Sequence, residues 1–74
     1  MNAPLHALAP EAHRRLLVAD MARTLVADNV DLGDERAAMT CLRRTHREGD
    51  VVALLDDAIC DAREMMAALA RPGG

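Results

Sequence analysis

From Val51 to Ala70 the chain runs without a glycine or proline, and Val51, Leu54, Leu55, Ala58, Ile59, Ala62, Met65, Met66 and Leu69 recur at helical spacing. A strand would instead alternate at every second residue. The run predicts a helix over 51–70 with a broad apolar face, and such a face has to be covered. The nearest candidates to cover it are the two segments that precede it.

Residues 10–29 carry the same period, with Leu17, Val18, Met21, Ala22, Leu25 and Val26 on one face and Leu16 alone pointing away. Pro10 suits a first helical turn, where its missing N–H does no harm. Acid-before-base pairs follow at three or four residues: Glu11 with Arg14 and Arg15, and Asp20 with Arg23. The stretch DNVDLGDE, Asp28 to Glu35, then breaks the period at Gly33 and offers Asp31 or Asp34 as an N-cap. A calcium-loop reading of it fails. With Gly33 in the sixth position of an EF-hand, Val30 and Leu32 stand where ligands belong, and Met39 replaces the closing Glu.

A second helix is expected over 34–48, with a thinner stripe of Ala37, Ala38, Cys41, Leu42 and Thr45. Gly49 would end it in the left-handed conformation common after helices, and Asp50 would cap the third. Residues 1–9, with Pro4, read as a flexible lead-in, and 72–74 as a tail. The expected fold class is therefore all-α: a single domain over 10–71, a small three-helix bundle whose short links set neighbours antiparallel.

The chain has 74 residues and is 51% hydrophobic, yet it lacks Phe, Tyr and Trp. A domain of this size hides only about 60% of its unfolded surface, and each missing ring would have buried about 150–250 Å². Association is the usual remedy. Within the third helix, Val52, Leu55, Ile59, Ala62, Met66 and Leu69 step by three and four, as in a coiled-coil seam. β-Branched residues stand at two a positions and Leu at two d positions, a combination that favours two strands. Beside the seam, Val51, Ala58 and Met65 form a column for an internal contact, and the Met65–Met66 pair suits an adaptable surface. This predicts a homodimer through helix 3, with another protein as a further partner.

No catalytic constellation emerges. Ser, Tyr and Lys are absent, which removes most nucleophile and base arrangements. Cys41 and His46, five residues apart on one helix, would point about 140° away from each other. His6, His13 and His46 lie on separate segments without an i, i+4 pair, so no metal site is expected. No cofactor or small-molecule substrate is implied either. Cys41 and Cys60 show no paired spacing and read as two buried thiols of a reducing compartment.

Charge supplies the competing readings. All nine basic residues are Arg, as a GC-rich bacterial or phage genome would produce. On a continuous second helix Arg36, Arg43 and Arg47 would share one face opposite the apolar stripe, the feature behind an alternative reading as a DNA-binding regulator. The net charge of −3 opposes that alternative. So does the third helix, whose Asp57, Asp61 and Glu64 would meet phosphates with like charge. That acidic face supports a further alternative, an inhibitor of a basic partner. Arg36, Arg43 and Arg47 are also its expected counter-charge, brought to it within the fold or by subunit packing. No apolar run approaches the roughly 20 residues needed to span a bilayer, and the N-terminus lacks the order of a secretory signal. The leading reading is a cytoplasmic, non-enzymatic helical protein with a regulatory or adaptor role.

Overall fold

The computed structural model describes residues 10–71 and contains three helices: α1 (Pro10–Ala27), α2 (Glu35–Leu42) and α3 (Glu48–Ala70). The expected lead-in 1–9 and tail 72–74 lie outside the described residues. The described residues form no strand, so the chain is all-α.

Helix α1 ends as a Schellman motif. The amide of Asn29 donates to Val26 O at 3.0 Å and that of Val30 to Leu25 O at 3.1 Å, the paired bonds that satisfy a helix's last carbonyls. This closure needs a left-handed residue, and Asn29 supplies it with φ 54°. Val30 then folds back on the core that contains Leu25. Asp31 bridges to the next helix: its Oδ1 accepts from Gly33 N at 2.9 Å. Asp34 caps α2, taking the Ala37 amide at 3.1 Å.

The second helix is shorter than its periodicity predicts, ending at Leu42 rather than at 48. Beyond Leu42 the ladder tightens, with Arg44 N donating to Cys41 O at 3.3 Å and Thr45 N to Leu42 O at 3.1 Å. Arg47 is then extended (ψ 143°) and starts α3. The physical reason is packing, because short helices are held mainly by a buried face. Leu42 is the last buried side chain of α2, and Arg43, Arg44 and Thr45 are exposed. Gly49 is accordingly not a helix stop. It sits inside the first turn of α3, and Asp50, expected as the cap, lies one residue further in.

The core is formed by Met21, Ala22 and Leu25 of α1, Ala38, Cys41 and Leu42 of α2, and Val51, Leu55, Ala58, Ile59 and Ala62 of α3. Ala22, Ala38, Ala58 and Ala62 are fully buried, so small residues at the contacts let the backbones approach and partly replace the volume that aromatic rings would fill. The Cα trace measures 44 × 33 × 16 Å. One interaxial spacing of about 8–10 Å plus a backbone radius of about 2.3 Å on either side gives about 13–15 Å, so the molecule is two helices deep. No helix is enclosed on all sides, and α3, the longest, keeps an outer face.

Candidate association surface

The stripe of α3 divides along its length. Leu55, Ile59 and Ala62, expected in an external seam, are buried within the same chain. Val52 (61% exposed), Met66 (43%) and Leu69 (74%) stay in solvent. A continuous seam for a second helix is thus absent, because α1 and α2 occupy its middle. Leu54 and Met65 are partly buried against the core. Met66 and Leu69 lie in angular register with the buried residues, and α1 runs beside them, but α2 begins level with Asp56–Arg63 and does not reach them.

At that end Val26 and Ala27 of α1 meet Met65, Ala68 and Leu69 of α3 around an apolar cleft of about 540 Å³, with Arg23 at its edge. Val26 was expected only as core, and Met65 both as part of an internal column and, with Met66, as an adaptable surface.

The arginine face is dismantled by the early end of α2. Arg36 lies on α2, Arg43 is its C-cap and Arg47 is the N-cap of α3, so they do not form a row along one helix. Arg43 Nε is 3.3 Å from Glu48 Oε1. His46, between Arg44 and Arg47 in the sequence, turns inward. Its Nε2 is 2.9 Å from Asp20 Oδ2 and its Nδ1 is 2.9 Å from Thr45 Oγ1. Because a carboxylate only accepts, Nε2 carries the hydrogen toward Asp20, and in the neutral ring Nδ1 accepts from the Thr45 hydroxyl. With its side chain only 6% exposed, the imidazole clasps the α2–α3 link to α1.

The acidic face is likewise divided. Asp57 pairs with Arg14 of α1, correcting the expectation that Arg36, Arg43 and Arg47 supply its counter-charge. Asp61 is partly buried and Glu64 exposed. Arg63 Nη2 donates to Leu32 O at 3.3 Å, tying α3 to the α1–α2 turn.

Of the two thiols, Cys41 is buried and Cys60 is exposed, against the expectation that both are internal. Cys41 Sγ donates to Asp28 Oδ2 at 3.1 Å. Burial, reinforced by this hydrogen bond and the carboxylate's charge, pushes its pKa up from 9.0 to about 11. A thiol so held is a poor nucleophile, and it bonds to Asp28, whereas His46 bonds to Asp20 and Thr45. Among the described residues no three His, Cys, Asp or Glu side chains are grouped to hold a metal ion, and no helix is long and apolar enough to cross a membrane.

Comparison with family models, curated proteins and solved structures found no match for the chain.

Proposed function

We propose that this is a non-enzymatic protein that acts by association, in a regulatory or adaptor role, and that it self-associates through α3. The observation that carries this reading is the exposure of Val52, Met66 and Leu69 on a helix otherwise used for the core. Side chains of this size left in solvent are apolar area still open to burial by a partner. A two-layer fold with few buried residues also gains from added burial, since each large apolar side chain removed from water contributes about 1.5–3 kcal/mol.

The test is mass measured by sedimentation equilibrium from micromolar to several hundred micromolar. A dimer that dissociates on dilution is expected. Monomer mass at the highest concentration would overturn the reading. Ile59→Asp is unsuited to this purpose because Ile59 lies in the core; the exposed Val52 reports on association without breaking the fold.

A further inference from the structure

Resting on the proposal of self-association through α3, we infer that the occupant of its outer face is a second copy of α3, antiparallel, with Cys60 on the two-fold axis. At about 100° per residue, Ala53, Asp56, Cys60, Arg63 and Ala67 fall in one band roughly opposite the centre of the buried stripe. All five are exposed. Asp56 and Arg63 lie four residues before and three after Cys60 and are two turns apart, about 10 Å, too far to pair with each other. Asp56 has no ion-pair partner among the described residues, and Arg63 makes only its long bond to the Leu32 carbonyl.

A two-fold through Cys60 reverses the second helix and brings Asp56 of each copy beside Arg63 of the other. One acid and one base thus become two ion pairs. The same operation sets Ala53 against Ala67, where small side chains permit close approach, and Arg71 of one copy near the acidic first turn of the other, which includes Asp50. On the opposite flank Glu64 approaches Asp57 of the second copy, whose charge Arg14 already offsets. Val52 borders the band and gains cover, whereas Met66 and Leu69, on the side of the buried stripe, stay outside this contact. A parallel pairing would instead set Asp56 against Asp56 and Arg63 against Arg63.

The area fits a reversible dimer. A 23-residue helix is about 34 Å long, and a strip one helix wide hides on the order of 400–500 Å² per copy. The total, about 800–1,000 Å², lies in the range of weak, transient interfaces.

The experiment combines charge reversal with cross-linking on the full chain. Asp56→Arg and Arg63→Asp should each raise the dimer dissociation constant at least tenfold, and the double variant should recover most of the loss. Diamide, which takes up the two hydrogens released as two thiols form a disulfide, should cross-link wild type through Cys60 at concentrations where it is dimeric, and should not cross-link Cys60→Ser. Circular dichroism checks that the variants stay helical. A wild-type dimer indifferent to both reversals, or one that Cys60 fails to cross-link, overturns this geometry and leaves self-association standing. Should Leu69→Asp alone dissolve that dimer, the contact lies at the cleft between the ends of α1 and α3, and the outer-face assignment is wrong. A monomeric wild type sinks both proposals.

Discussion

Cys41 and Cys60 have the same side chain and opposite fates, because one thiol faces Asp28 inside the fold and the other faces water. At pH 8 an alkylating reagent should therefore modify one thiol per folded chain and two per unfolded chain, with mass spectrometry locating the first at Cys60. The raised pKa of Cys41 also sets an alkaline limit. Its unfolded form loses the proton near 9.0 and its folded form near 11, so the contribution of the protonated thiol is intact below about pH 9. It is lost as pH rises through about 11, because the unfolded chain releases the proton first. Cys41→Ser, which keeps a donor for Asp28, should flatten the loss of thermal stability over that interval; an unchanged slope would show that another group controls it. The His46–Asp20 contact is a second residue-level determinant. His46→Ala should cost about 1–3 kcal/mol, as for hydrogen bonds involving a charged group, and a double-mutant cycle with Asp20→Ala should attribute most of that cost to the pair.

Among the elements, the helix ends carry the clearest consequences. Gly49 occupies the first turn of α3, and a Cβ added there would meet nothing within 4 Å, so it holds neither a special conformation nor a close contact. Gly49→Ala should stabilise the protein by about 0.5–1 kcal/mol in denaturant unfolding, by restricting the unfolded chain. A loss would mean that Gly49 ends α2 after all. Asn29 is the reverse case. It is the residue in the left-handed region, where a Cβ-bearing side chain costs about 1–2 kcal/mol. Asn29→Gly should be neutral or stabilising and Asn29→Ala destabilising; equal effects of the two would argue against the Schellman closure.

For the whole molecule, two layers of helices leave little core in reserve. Leu25 and Leu42 are fully buried, and truncating either to Ala should cost about 2–5 kcal/mol, comparable with the whole stability of a small domain. Self-association couples to that stability by mass action, since a partner that binds only the folded chain raises the melting temperature. The melting temperature of the wild type should therefore increase with protein concentration, and Asp56→Arg should remove the dependence. A melting temperature constant over a hundredfold range would speak against the dimer.

Helical class, the first and third helices and most of their buried faces were legible from periodicity. Val18, Met21, Ala22 and Leu25 are buried where their spacing puts them, Leu16 is exposed where it breaks the spacing, and Asp34 caps α2 as its position suggests. These features depend on local geometry, which residue type and spacing fix within one element. Tertiary structure alone decided where α2 stops, since that depends on which side chains find a neighbour to cover them. It also set the inward turn of His46 toward Asp20, the pairing of Asp57 with Arg14 and the separation of the arginines. The apolar stripe of α3 specified a face to be covered without saying by what. Its middle is closed by α1 and α2 and its end is left open, because helix lengths and crossings are properties of the packed molecule and leave no periodic trace in a single segment.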